Sequence, residues 1–296
     1  MSLEPIGDLM GRAREGRYAV GYFESWNVGS LQGAIDAAEA TRSPVIIGFN
    51  GDFLSRPGRA AEERLACYGA MGRAAAESAS VPCGLIFNEC AQDDSVRLAI
   101  TSGFNLVMPA DPSAPYDDYV WRVVELAHYA HDHDVSVEAE IGELPCGASG
   151  TVEEGGSSLT DPDLAARFVE ATGIDLLSIS IGNVHVRIEG QQALDLDRLA
   201  RIRERVDIPL GLHGGTGIEA GSLREAISMG VTKVAYGTYL KQRYLAAVRE
   251  ALDIDEIDPH KLLGYGGPED VMVKGRLAVR DAVLERIELL GCCGKA

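Results

Sequence analysis

Residues 209–238 read PLGLHGGTGIEAGSLREAISMGVTKVAYGT, and this stretch contains the unit from which the fold can be inferred. An apolar run at residues 209–213 leads into a glycine-rich turn. A helical pattern follows at residues 221–229, and a second short apolar run occupies residues 233–236. A strand, a helix and a strand in this order are typical of the parallel βαβ unit.

The same alternation of short apolar runs and longer helical patterns extends over the rest of the chain. A helix is predicted after Asp161, an N-cap residue followed by Pro162 at the first helical position, and another at residues 195–206. The predicted strands are residues 18–23, 44–49, 83–88, 105–108, 136–141, 176–181, 209–213 and 233–236. Eight parallel strands close a barrel, so we expect an α/β fold, a single (β/α)8 TIM-barrel domain over residues 1–296.

A helical extension is predicted after the eighth strand, over residues 258–290. It is longer than a barrel needs, and we expect it to pack on a neighbouring subunit in a homodimer or a homotetramer. The adjacent Cys292 and Cys293 are expected to be reduced thiols in a loose C-terminal tail.

Charge and hydropathy limit the partners that the chain can bind. The 296 residues include 45 acidic and 27 basic side chains, which gives a net charge of -18. Such a charge repels nucleic acid and anionic membranes, so we expect neither as a partner. The sequence has no long apolar run and no signal-peptide pattern at its start, which favours a cytoplasmic protein with a small-molecule substrate.

Polar residues follow most of the predicted strands, at the ends where TIM-barrel enzymes hold their catalytic groups. These residues are Glu24, Asn50, Asn88, Glu89, Glu140, His185, His213 and Thr238. Imidazole nitrogens and carboxylate oxygens are ligands that Zn²⁺ prefers. The pattern predicts a divalent metal bound by Glu89, Glu140, His185 and His213; pairing of the two glutamates with Arg or Lys is the alternative. By contrast, His128, His131 and His133 are expected on the solvated opposite face.

Two glycine-rich turns are candidates for binding a phosphate. Backbone N–H groups of residues 215–217, after strand seven, are expected to converge on an anion, and Gly237 and Thr238 repeat the arrangement after strand eight. The predicted substrate-binding or phosphate-binding residues are Asn50, Gly182, Gly214, Gly215, Thr216, Gly237 and Thr238.

Residues 142–158, GELPCGASGTVEEGGSS, are too long for an ordinary turn after strand five and rich in Gly and Ser. We expect a mobile active-site loop that closes over the substrate. Its carboxylates Glu143, Glu153 and Glu154 are candidates for a general base.

Several motifs resemble those of a known enzyme family. DLLSISIGNVHVRIEG (residues 175–190), DLDRLARIRERVDIPLGLHGGTGI (195–218) and AISMGVTKVAYGT (226–238) resemble the class II fructose-bisphosphate and tagatose-bisphosphate aldolases. Residues 18–47 and the segment VSVEAEIGEL (135–144) are similar to that family too, so the likeness covers most of the chain.

The resemblance implies a zinc ion, or another divalent metal, and allows a monovalent cation in addition. In that family three histidines hold zinc, which polarises the ketose carbonyl and stabilises the enediolate as the C3–C4 bond breaks. The second and third histidines match His185 and His213. Glu89, within IFNEC (residues 86–90), stands where the first histidine is found. Glu140 matches a family glutamate close to the metal.

The sequence departs from the family at three further positions that matter for chemistry. Asn88 stands in place of the aspartate that shuttles a proton, and an amide cannot act as that base. Ala235 replaces an asparagine that holds the substrate, and Val186 replaces a glycine. Thr216 and Thr238 still match hydroxyl residues of the family's phosphate loops.

Three functions are therefore open. The first is a metal-dependent aldolase-type lyase acting on a ketose, a ketose phosphate or a related hydroxy-carbonyl compound, with a base supplied by Glu24, Glu143, Glu153 or Glu154. The second is a metal-dependent isomerase or epimerase on the same scaffold. The third is a barrel that binds a sugar phosphate without catalysis.

Overall fold

Eight parallel strands form a closed barrel in the computed structural model, which describes residues 2–111, 113–142, 159–183 and 191–296. The strands are β1 (Val20–Glu24), β2 (Val45–Asn50), β3 (Cys83–Cys90), β4 (Leu106–Pro109), β5 (Ser136–Ile141), β6 (Leu176–Ile179), β7 (Leu210–Leu212) and β8 (Val231–Tyr236). Each strand pairs in parallel with the next, and β1 pairs with β8 to close the sheet. The predicted TIM barrel is confirmed.

Helices surround the barrel. They are α1 (Ile6–Gly16), α2 (Val28–Thr41), α3 (Gly51–Ser55), α4 (Leu65–Ser78), α5 (Asp93–Thr101), α6 (Tyr116–His131), α7 (Pro162–Thr172), α8 (Leu196–Arg203), α9 (Ala220–Ser228), α10 (Thr238–Leu252), α11 (Pro259–Leu262) and α12 (Val271–Leu290). In the part of the chain that the structure describes, none of them is long and apolar enough to cross a membrane.

The local signals in the sequence explain where helices begin and where two strands end. Asp161 accepts hydrogen bonds from the backbone N–H groups of residues 163 and 164, with Pro162 at the first turn of α7. Strand β6 ends earlier than predicted because the side chain of Asn183 bonds to the backbone of Ile181 and Ile179. The same amide donates to the His213 carbonyl, 3.1 Å away, beyond the end of the short strand β7.

The predicted C-terminal extension consists of two helices and packs on its own barrel. Helix α12 lies against α2 and α10, and a Cβ atom added at Gly33 would meet the Arg276 carbonyl at 2.6 Å. Arg276 also forms an ion pair with Asp36 at 2.6 Å. The extension still exposes large apolar side chains, among them Leu263 and Tyr265. Its contact with a neighbouring subunit therefore stays a prediction.

The last residues are also ordered against the barrel. Cys292 is completely buried, and burial raises the pKa of its thiol to about 11. Backbone N–H groups of Gly294 and Ala296 donate to the carbonyls of Thr41 and Arg42 at 2.9 Å each. The prediction of a loose tail was wrong for Cys292, because the end of the chain packs beside the C-terminal end of α2; Cys293 is exposed.

Candidate active site

Glu89 lies at the C-terminal end of β3 in an unusual backbone conformation. Its φ angle is 52°, and the register between β3 and β4 shifts between Phe87 and Cys90. A left-handed conformation costs a residue with a Cβ about 1–2 kcal/mol, and a bulge changes the direction of side chains along a strand. Such strain is found preferentially at functional sites.

The carboxylate of Glu89 meets the imidazole of His213 at the C-terminal rim of the barrel. Glu89 Oε1 lies 2.6 Å from His213 Nδ1, and Glu89 Oε2 accepts a hydrogen bond from Asn50 Nδ2 at 2.7 Å. The Asn50 side chain is itself fixed, because its Oδ1 accepts from the N–H of Phe53 in α3. Strands β2, β3 and β7 thus bring three of the predicted residues together.

A second carboxylate, Glu138 of β5, lies on the other side of the His213 ring inside the barrel. Glu138 Oε1 is 3.2 Å from His213 Nε2 and accepts from Ser178 Oγ at 2.6 Å. Glu138 Oε2 accepts from Lys233 Nζ at 2.5 Å. Both ring nitrogens of His213 therefore face carboxylates, and Glu138 is held by groups from β6, from β8 and from the residue that follows β7.

This arrangement keeps the buried groups charged. Burial opposes ionisation of Glu138, but attraction to Lys233 and hydrogen bonding from His213 outweigh it and hold the pKa of Glu138 below its ordinary value. Burial likewise opposes protonation of His213, but hydrogen bonds to Glu138 and Glu89 outweigh it and raise its pKa. With the imidazole doubly protonated, both of its N–H groups donate, and a metal ion at Nδ1 would take the place of the proton there.

Glu138, Ser178 and Lys233 were not identified from the sequence as part of the site. The sequence holds a signal for two of the three: Glu138 is two residues before Glu140 and so faces the same side of β5, and Lys233 interrupts an apolar strand. Glu140, the residue predicted instead, is half-buried and is not among the described residues that line the pocket.

The rim encloses a small pocket of about 80 Å³, partly open to solvent. It is lined by Tyr22, Glu24, Asn50, Phe53, Asn88, Glu89, His213, Gly214, Thr216, Ala235, Tyr236, Gly237, Thr238 and Lys241. Most predicted site residues in the described part of the chain are therefore in one place. Gly182 and Gly215 are not in this lining, and Gly215 packs against the ring of Tyr236.

Three residues of the pocket wall carry a buried polar atom without a hydrogen-bond partner among the described residues. These atoms are the Oδ1 of Asn88, a residue that is 3% exposed, and the hydroxyls of Tyr22 and Tyr236, which are 2% and 1% exposed. Burial raises the pKa of both tyrosines, so their phenols stay protonated. Buried polar atoms are normally paired, and these three are therefore candidates for hydrogen bonds to a ligand.

The two predicted phosphate turns differ. Residues Gly215–Gly217 form a separate 3₁₀ turn in which the N–H of Gly217 donates to the Gly214 carbonyl at 3.1 Å. The expectation that three N–H groups converge there was wrong for Gly217, because its N–H is already bonded within the turn. The turn is also not the first turn of a helix, since α9 begins only at Ala220. After β8, by contrast, Gly237 is the N-cap of α10, as predicted.

Part of the predicted set lies outside the described residues. His185 belongs to residues 184–190, and Glu143, Glu153 and Glu154 belong to residues 143–158, so their positions are not described. Among the residues that are described, no group of three His, Cys, Asp or Glu side chains is arranged to hold a metal ion. Glu89 and His213 are two of the four predicted ligands.

A closed parallel barrel with ionisable side chains at its C-terminal rim is the architecture of TIM-barrel enzymes. Comparison with known proteins defines the class further. Residues 4–295 match the family model for fructose-bisphosphate aldolase class-II. The chain belongs to this family.

Individual relatives agree with this assignment over nearly their whole length. The uncharacterized protein YdjI of Escherichia coli is 33% identical over 94% of this chain and 94% of its own. A fructose-bisphosphate aldolase of Geobacillus stearothermophilus is 32% identical over 100% of this chain and 99% of its own. The crystal structure of the Escherichia coli YdjI aldolase superposes with a TM-score of 0.82 at 31% identity, covering 99% of both chains.

Proposed function

We propose that this chain is a metal-dependent carbon–carbon lyase of the aldolase type, acting on a ketose, a ketose phosphate or a related hydroxy-carbonyl compound. The observation that supports it most is the meeting of Glu89 and His213 in a rim pocket, with Glu89 in a strained backbone conformation. Family membership supports the same class of reaction.

The donor atoms at this position fit a divalent cation. Glu89 Oε1 and His213 Nδ1 are adjacent, and the second polar atom of each side chain is held, by Asn50 and by Glu138. Metal-ligating residues are commonly oriented by such outer contacts. We assign Glu89 and His213 as ligands together with His185, and Glu140 as a nearby carboxylate. When bound, zinc or another divalent ion supplies Lewis acidity toward a substrate carbonyl.

Substrate binding and proton removal are then carried out by different residues. Tyr22 and Asn88 bind substrate hydroxyls through the atoms that have no partner among the described residues. Asn88 cannot remove a proton, so a carboxylate must take the hydroxyl proton as the carbon–carbon bond breaks. One fragment leaves as an aldehyde, and the carbon that retains the electron pair of the broken bond is protonated.

Four glutamates are candidates for that base. Glu24 lines the pocket, and Glu143, Glu153 and Glu154 lie outside the described residues. Single Glu→Gln variants distinguish them, since the base is the residue whose loss reduces turnover by ~10²–10⁴ while substrate affinity stays close to wild type.

The neutral side chain at position 88 favours a second candidate, a barrel that binds a sugar phosphate without catalysis. A third candidate is an isomerase or epimerase, which would need the same activation of the substrate carbonyl as the lyase. One assay separates the three. Purified protein supplied with zinc is incubated with a panel of ketose phosphates and unphosphorylated ketoses, and products are identified by mass spectrometry and NMR.

We expect aldehyde products from at least one compound, with the activity lost in His213→Ala and retained in the control His128→Ala, whose imidazole is exposed on α6. Epimerised or isomerised sugars without cleavage would replace this proposal by an isomerase. Saturable binding with no product would replace it by a binding protein.

A further inference from the structure

Glu24, at the end of β1, places its carboxylate at the N-terminal end of α10. A Cβ atom added at Gly237, the N-cap residue of that helix, would lie 2.1 Å from Glu24 Oε2. The carboxylate therefore occupies the space beside the glycine, and a larger residue at 237 would displace it. The other oxygen of Glu24 pairs with Lys241, which lies one turn into the same helix.

The first turn of a helix attracts anions, because its N–H groups have no helical partners and the helix dipole is positive there. This preference is the reason why phosphates bind at such positions. Glu24 places a carboxylate of the protein itself beside this turn. The turn after β8, which the sequence suggested as a phosphate site, thus already contains an anion.

The lysine of the described pocket wall is also engaged by a carboxylate, since Lys241 contacts Glu24. The Lys241 ammonium lies over the Phe53 ring, 4.3 Å from its centre, which fixes it further. A phosphate entering this pocket would approach the carboxylates of Glu24 and Glu89 and would find Lys241 already paired.

The buried polar groups of the pocket wall without a partner among the described residues are neutral. They are Asn88 Oδ1 and the hydroxyls of Tyr22 and Tyr236. An amide oxygen accepts a hydrogen bond and a phenol donates or accepts one, so these groups complement hydroxyls rather than a charged group.

We infer that Glu24 is a specificity-determining residue, whose carboxylate fills the anion position at the start of α10 and selects a substrate that carries hydroxyls, not a phosphate, at that end. This rests on the proposed function for the place of the substrate. The blocked anion position itself depends only on the contacts of Glu24 with Gly237 and Lys241.

Inorganic phosphate tests this inference without any substrate turnover. Phosphate binding is measured by isothermal titration calorimetry on the purified protein and on the variants Glu24→Gln and Glu24→Ala. We expect the variants to bind phosphate at least 10-fold more tightly than wild type, because the competing carboxylate is gone and Lys241 is released. Glu250→Gln, at an exposed position of α10, makes the same change in net charge and is expected to leave the affinity unchanged.

Glu24→Gln conserves the shape of the side chain, so phosphate affinity can be measured on it even if Glu24→Ala fails to fold. Circular dichroism checks the fold of each variant. Adding Lys241→Gln to Glu24→Gln should remove the gained affinity, which locates the phosphate at α10. Equal affinity in wild type and Glu24→Gln, or a gain that survives the loss of Lys241, would overturn the inference. Either result is independent of whether the chain proves to be a lyase.

Discussion

Lys233 Nζ lies 2.5 Å from Glu138 Oε2 in the interior of the barrel, where both side chains are at most 1% exposed. Ser178 and His213 approach the other oxygen of the same carboxylate. A chain of charged contacts therefore runs from Lys233 through Glu138 to His213 and Glu89. Glu138 holds the His213 ring at Nε2 from the interior of the barrel. The other ring nitrogen, Nδ1, contacts Glu89 in the pocket wall.

The variant Lys233→Met tests the structural role of this interior pair. Removing one partner of a buried ion pair typically costs about 3–5 kcal/mol, because the remaining charge is left in a poorly solvated place. We expect a loss of that order in the free energy of unfolding, measured by urea denaturation. Lys261→Met removes an exposed partner of Glu256 and should leave stability nearly unchanged. Equal effects of the two substitutions would contradict the role given to Lys233.

The backbone strain at Glu89 can be measured by comparing two replacements of one residue. Glu89→Ala and Glu89→Gly both remove the carboxylate, but only alanine keeps the Cβ that makes φ of 52° unfavourable. We expect the glycine variant to be about 1–2 kcal/mol more stable than the alanine variant in equilibrium unfolding. If alanine is equally stable or better, residue 89 is not strained.

Asp270 gives a pH dependence whose sign can be stated. It is buried, caps α12, and accepts hydrogen bonds from the N–H groups of Gly264, Gly266 and Met272. The bond from Gly264 is the largest of the effects that lower the pKa of Asp270. Because the folded pKa is below the unfolded value of about 3.9, this stabilisation is complete above that pH and is lost as the pH falls through the folded pKa.

Asp270→Ala should accordingly destabilise the chain at pH 7, by about 0.5–2 kcal/mol for loss of a cap, and by less at low pH. Thermal unfolding of wild type and variant at pH 7 and at pH 3 measures the change. A difference that stays constant between the two pH values would mean that ionisation of Asp270 has no part in its effect.

The sequence predicted the barrel and much of its rim because both depend on local patterns. Apolar runs mark strands, and polar residues such as Glu89 and His213 follow directly after them. The partners inside the barrel were not predictable in the same way. Whether Lys233 of β8 meets Glu138 of β5 depends on how the strands are staggered around the closed sheet, and that stagger is a property of the whole fold.

The conformation of Glu89 and the position of Glu24 illustrate the same limit. A left-handed glutamate inside a strand contradicts local preference, so no pattern in the sequence predicts it. Glu24 was recognised as a rim carboxylate, but its contact with Gly237 joins two residues far apart in sequence that only closure between β1 and β8 brings together.

Cleavage of fructose 1,6-bisphosphate by this protein should be slow or absent. Asn88 stands where the family's proton-shuttling aspartate is expected, and loss of a positioned base reduces rate by ~10²–10⁴. The relevant measurement compares turnover with that of the Geobacillus stearothermophilus aldolase under the same conditions. Comparable turnover numbers would show that residue 88 does not limit the chemistry.

Metal content decides whether Glu89 and His213 belong to a metal centre. Wild type, Glu89→Ala, His213→Ala and the control His128→Ala are purified in the presence of zinc, dialysed, and analysed by inductively coupled plasma mass spectrometry. We predict one equivalent of divalent metal in wild type and in His128→Ala, and a substoichiometric amount in the other two, because each has lost a ligand. A folded His213→Ala variant that still carries a full equivalent would contradict the assignment of this site.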